Sequence, residues 1–309
     1  FYKPLSRLSI ALAVSLLIGG LSVILLDLGR PDRLIIAMTY YNFRSIFAWN
    51  IFLYTGFIAI MVVYLWTQLD WQVNRHSQKI AQFAFAWRLI LTAGTGSIFG
   101  VLVARDAYHL LIMAPLFIVL SLGFGMAWFL IISALLFRKD VFIKLAPQLC
   151  QLLIKFLAVG LIASIFYHLI NFLRNDAHDF TQFVLFESGS YGFLIWFMQV
   201  LSGLIFPALL LLSNLKIASR REVVAASILV VMGGLTQIFS IVIGAQAFKM
   251  RLVDGYEIIP NQFFGQVLNY VPTHWEWMLG SGGIALMLLL VIVQSRLFRL
   301  VPGDQVVAR

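Results

Sequence analysis

Stretches of about 20 apolar residues, the length that crosses a bilayer, recur at 7–27, 46–68, 87–105, 109–137, 150–173, 190–214, 222–247 and 276–299. Polar or charged residues separate them, so the pattern predicts eight spanning helices. The third window is the most polar, with Thr92, Gly94, Thr95, Gly96 and Ser97 in its middle. Residues this small let helix backbones approach closely, and packing is expected of them before ligand contact. The segment 70–86, DWQVNRHSQKIAQFAFA, is amphipathic and is expected to lie along the membrane interface. No linker or water-soluble domain interrupts the pattern, and the longest piece outside the spans is 248–275. The predicted fold is all-α: a polytopic membrane protein, most simply two four-helix bundles side by side. Residues 1–140 would form the bundle that carries the functional site and 141–309 the second bundle.

Composition excludes a soluble globule, since 61% of the 309 residues are hydrophobic, 11% are charged and mean hydropathy is +0.95. The single cysteine, Cys150, excludes an internal disulfide and a cysteine-rich metal or iron–sulfur site, so any cluster must belong to a partner. The chain opens at Phe1 on a short interfacial segment before the first span. With eight spans, alternate loops face opposite sides of the membrane. The side holding the amino end collects 15 basic residues against 4 acidic ones, a balance of +11, whereas the other has 7 against 9, a balance of −2. Positive residues stay inside, which places both ends of the chain in the cytoplasm. The loops at 28–45, 106–108, 174–189 and 248–275 then face the periplasm or exterior. The basic surplus reflects topology, and no nucleic-acid-binding motif is present.

Candidate chemistry gathers in Gly20 to Asn50, GLSVILLDLGRPDRLIIAMTYYNFRSIFAWN, where ionisable groups sit at the junction of a spanning helix and water. Asp27 stands in the last turn of an apolar helix that Gly29 and Pro31 must end. A carboxylate there is costly to desolvate and calls for a pair or a polar cavity. Arg30, three residues on, is the nearest candidate partner. Two readings follow: a helix stop with an interfacial ion pair, or a site for a polar-headed, lipid-soluble ligand. Beyond it, NFRSIFAWN adds the amide of Asn42, a guanidinium, the hydroxyl of Ser45 and the indole of Trp49. Together with Asp27, Arg30 and Tyr41, these groups can hydrogen-bond a quinone carbonyl and accept its protons. Arg105, Asp106 and His109, in RDAYH, crowd a tight turn on the same predicted side. That turn is either a solvated connection or part of the same polar cavity.

Membrane subunits that hold b-type haem place histidines on facing helices. Here His76, His178 and His274 lie in loops, His109 starts the fourth span and His168 alone is clearly within one, so no haem is expected. In YVPTHWEW, residues 270–277, aromatic anchoring of the last span is expected of most residues at the helix mouth.

LDLGRPDR at 26–33 and NFRSIFAWN at 42–50, with the helix order after them, resemble the polysulfide reductase membrane subunit family, NrfD/PsrC. IMAPLFIVLSLGFG at 112–125, FMQVLSGLIFPALLLL at 197–212 and YVPTHWEW look more like its longer, ten-helix HybB and DsrP branch. The two helices that precede the GRP helix in that branch are absent here. The resemblance implies a haem-free subunit, without iron–sulfur clusters of its own, in a bacterial or archaeal cytoplasmic (inner) membrane. It further implies exchange of electrons with quinone or quinol (menaquinone or ubiquinone), no catalysis by this chain alone, and docking to a periplasmic ferredoxin-like iron–sulfur subunit. Catalytic or cytochrome subunits of a respiratory or sulfur-metabolism complex would lie beyond that partner. Asp27, Arg30, Asn42 and Ser45 fall on motif positions near the quinone head group. Some hydrogenase-linked members place a histidine where this chain reads TAGTGS, so a proton role of that histidine does not carry over. Competing readings are a purely structural anchor and a secondary transporter; against the latter, the ionisable residues gather at one face rather than at mid-membrane.

Overall fold

The computed structural model describes residues 3–102, 105, 107–175, 177–213, 215, 219–248, 270–298 and 300. Asp106 and most of the 248–275 segment lie outside the described residues. Among those described, eight helices are long and apolar enough to cross a membrane. They are α1 (Lys3–Asp27), α2 (Ile46–Leu69), α3 (Ser77–Gly100), α4 (Leu110–Leu136), α5 (Lys139–Leu173), α6 (Gly189–Ser213), α7 (Arg220–Ala247) and α8 (His274–Leu297). No strand occurs among the described residues. The chain is an all-α, multi-pass integral membrane protein, as its apolar windows predict.

Two helix starts differ from the windows. Residues 77–86, expected along the interface, are the first turns of α3, because no glycine or proline between Ser77 and Ala93 breaks the helix. Helix α5 begins at Lys139 and carries Pro147 inside it, which removes one backbone donor without ending the helix. Its 35 residues extend about 52 Å against a hydrocarbon core of about 30 Å, so it reaches well past the core.

The chain divides by packing into two compact units, Phe1–Gly94 with Val271–Arg309, and Thr95–Tyr270. This grouping is distinct from a division at residue 140, which follows order along the chain. In the first unit a Cβ on Gly19 would stand 2.7 Å from the Gly283 carbonyl oxygen, so α1 and α8 meet backbone to backbone. Gln294 Nε2 ties the same helices by donating to Ser15 Oγ at 2.8 Å. Ile10, Leu53, Phe57 and Leu91 form a buried cluster that joins α1, α2 and α3. In the second unit Gly203 of α6 and Gly233 of α7 touch through their backbones. A Cβ on Gly96 would stand 2.7 Å from the Met113 carbonyl oxygen, the packing role expected of the small residues in this stretch.

Candidate functional site

Asp27 is the last residue of α1 and is exposed. After it the chain makes a single 3-10 turn, Pro31–Arg33, and a short helix, Leu34–Thr39. The expected pairing of Arg30 with Asp27 is not formed. Arg30 turns forward instead, donating from Nε and Nη2 to Asp32 Oδ1 and Oδ2 at 3.2 and 3.1 Å. Pro31 fixes its own φ and starts a tight turn, which brings Asp32 back within reach of Arg30. With the two side chains 64% and 61% exposed, this pair contributes about 0–1 kcal/mol. Asp27 has no hydrogen-bond or ion-pair partner among the described residues.

The next turn owes its shape to its own polar groups. Asn42 Oδ1 accepts from the Arg44 amide at 3.1 Å and the Asn42 carbonyl accepts from the Ser45 amide at 2.9 Å, an Asx-type turn. Ser45 is the extended residue before α2, and its side chain makes no capping bond. One turn into the helix, the Trp49 indole N–H reaches back to the Phe43 carbonyl at 2.9 Å and pins the loop. Ring contacts then run without a break through Tyr41, Phe43, Trp49, Phe52, Trp87 and Phe83, with centroid separations from 5.7 to 6.2 Å. Every ring in this column except Trp87 is exposed. Trp87 is held in place by its indole bond to the Leu53 carbonyl at 2.9 Å.

Arg105 and His109 belong to the second unit, and their surroundings are different. Arg105 Nη1 donates to the carbonyls of Ala245, Gln246 and Phe248 at 3.3, 3.4 and 3.1 Å. It thereby satisfies the carbonyls at the C-terminal end of α7, which no longer have helical partners. Tyr108, which nothing in the sequence marks beyond its place in RDAYH, is buried and donates from its hydroxyl to the Ile241 carbonyl at 3.2 Å. Burial pushes its phenol up to about 12, although the neighbouring Arg105 guanidinium pulls the other way. His109 is the extended residue before α4, and its buried Nδ1 has no partner among the described residues. Asp106 lies outside the described residues.

The last span starts on a feature that is readable in the sequence. In Thr273-x-x-Glu276 the threonine hydroxyl accepts from the Glu276 amide at 3.4 Å, and Glu276 Oε2 accepts from the Thr273 amide at 2.6 Å, a capping box. Glu276 is thus engaged at the helix start, and Trp275 and Trp277 are exposed beside it.

Residues 2–250 match the family described as Polysulphide reductase, NrfD. The chain belongs to that family. It is 29% identical over 309 residues to the Hdr-like menaquinol oxidoreductase integral membrane subunit of Archaeoglobus fulgidus, a match covering 97% of this chain and 77% of the relative. It is also 24% identical over 335 residues to one of the subunits of the selenate reductase of Mesobacillus selenatarsenatis, covering 96% and 78%. In this NrfD-family chain the Asp27–Trp49 stretch and the Arg105–His109 turn both fall inside the family match, whereas α8 falls outside it.

Proposed function

We propose that this chain is the quinol-interacting membrane subunit of a multi-subunit oxidoreductase and that the head group is held at the Asp27–Trp49 stretch. The observation that carries this reading is the pinned polar turn at Asn42–Ser45, placed at the head of an exposed column of aromatic rings. A quinone is a flat ring with carbonyl acceptors on an apolar tail. The stretch fits it with ring faces at Tyr41, Phe43 and Trp49, and with the amide NH2 of Asn42, whose oxygen is already taken by Arg44. Asp27 adds a carboxylate with no partner among the described residues to hold its charge.

Bound quinol supplies electrons and protons together, and the protein supplies orientation and proton acceptance. Asn42 and Ser45 orient the head group by hydrogen bonds, Trp49 fixes the turn that carries them, and Asp27 takes up the proton at its carboxylate. The electrons pass to an iron–sulfur partner subunit, which docks on the periplasmic side with both chain ends in the cytoplasm. No haem takes part. The relatives that belong to a menaquinol oxidoreductase and a selenate reductase support this reading.

The test is Asp27→Asn in the assembled complex, assayed with a soluble quinol analogue and normalised to assembled protein. Quinol-dependent turnover should fall about 100-fold, the low end of a general acid–base contribution. Glu187→Gln, at an exposed carboxylate in the second unit, should change little. Wild-type turnover in Asp27→Asn would remove Asp27 from the reaction, and absence of saturable quinol binding would leave a structural anchor.

A further inference from the structure

Within the second unit, α5 carries Ser164, Tyr167, His168 and Asn171, which recur at helical spacing and so form one stripe that ends at Arg174, the residue just after the helix. From Ser164 to Arg174 the stripe spans eleven residues, about 15 Å, or roughly half a hydrocarbon core. Polar groups of two other helices meet it. Gln237 of α7 donates to Ser164 Oγ at 2.9 Å. Two adjoining cavities share Gln199 and Gln237 in their walls, and one of them is also lined by Tyr167, His168 and Ser240.

Two atoms facing one cavity are buried without a partner among the described residues: Gln199 Nε2 and Ser240 Oγ. Their residues are 2% and 4% exposed. An unpaired buried amide or hydroxyl costs about 1–3 kcal/mol, and two on one cavity wall call for an occupant. The rest of the unit shows what satisfied burial looks like. Ser133 and Ser227 are also buried, but their hydroxyls bond carbonyls of their own helices, Leu130 and Val223, at 3.0 and 2.8 Å. Leu130, Phe142, Leu153, Leu211 and Val223 of the same unit are fully buried and apolar. Gln199 and Ser240 both lie in π-helical stretches, Leu194–Ile205 and Ser240–Gly244. Such wide turns are rare and recur at functional sites.

We propose that this half of the second unit holds exchangeable ordered water, bound by Gln199 and Ser240, in an inlet that runs from the Arg174 end of α5 to the middle of the span. Each cavity has room for about one water, and its wall offers the two to four polar partners a buried water needs. Asn171, between His168 and Arg174, is the next station toward the helix end. The inlet brings solvent, and the protons it exchanges, to mid-membrane, and it stands independently of the proposed quinol site in the first unit.

Hydroxyl-radical footprinting of the full chain in proteoliposomes tests this, because radicals made from internal water oxidise the side chains beside it. Phe180 and Phe142 are the same residue type, 4% and 0% exposed, and only Phe180 lines the cavity. Phe180 and Tyr167 should be oxidised several-fold faster than Phe142 and should take up oxygen from rapidly mixed heavy-oxygen water. Gln199→Leu and Ser240→Ala should lower that oxidation several-fold, whereas Ser227→Ala should not. Should the variants fail to fold, the wild-type contrast between Phe180 and Phe142 decides alone. Equal oxidation of the two phenylalanines would overturn the proposal, and oxidation without uptake of the mixed isotope would mean sealed structural water, not an inlet.

Discussion

The Asp27–Trp49 stretch and the Arg105–His109 turn are built from the same kinds of residue, yet they do opposite things with them. In the first, the charged and aromatic groups are exposed, and among the described residues their hydrogen bonds go to near neighbours: Arg30 to Asp32, Asn42 to Arg44, Trp49 to Phe43. In the second, Arg105 and Tyr108 are spent on the carbonyls of α7, more than 130 positions away. A cation at a helix end can therefore complete a fold or stand ready for a ligand, and its long-range partners decide which. By that criterion Arg105 supports the structure of its unit, and the open groups of the first stretch remain available for chemistry.

That contrast makes Arg105→Met the most damaging change to the fold. It strips a charged donor from three carbonyls and should cost about 2–3 kcal/mol, read as a lower midpoint of thermal unfolding in detergent. Turnover per folded molecule should hold. Loss of turnover at unchanged stability would place Arg105 in the reaction instead. Trp49→Leu should reverse the pattern. Removing the ring that links the loop to the column should cost about 1.5 kcal/mol of quinol binding, roughly tenfold in apparent affinity, with little loss of stability.

The last effect vanishes at neutral pH and appears only in alkali. The Tyr108 phenol ordinarily titrates at 10.0 and is raised to about 12 in the fold. The unfolded chain thus loses this proton first as pH rises, so the contribution of the neutral phenol is complete below 10 and declines between 10 and about 12. Tyr108→Phe should flatten that part of the stability profile. An unchanged slope would assign the alkaline loss to other groups.

All eight spans are legible in the sequence because a run of about 20 apolar residues has few alternatives to crossing a bilayer. Their ends are less so. Lys139, Asp140 and Pro147 disguise the first turns of α5, since charge and proline read locally as loop while the helix carries them beyond the hydrocarbon. The packing of α8 on α1 rests on Gly19 and Gly283, a contact between opposite ends of the chain that no local pattern encodes. In the candidate site the polar turn at Asn42–Ser45 is visible, but the partner of Arg30 is not, because a turn at Pro31 makes the carboxylate two residues on a nearer neighbour than the one three residues back. Phe52, Phe83 and Trp87 escape notice as well. Aromatic residues in a membrane span are ordinary, and only the stacking across α2 and α3 makes a column of them.

Photo-crosslinking of the assembled complex with a photoreactive quinone analogue tests the central claim most directly, because it reports where the ring sits without requiring turnover. The label should fall within Tyr41–Phe52, be displaced by excess quinol, and disappear from that stretch in Trp49→Leu. Displaceable label confined to the Arg105–His109 turn, with none in Tyr41–Phe52, would contradict the account.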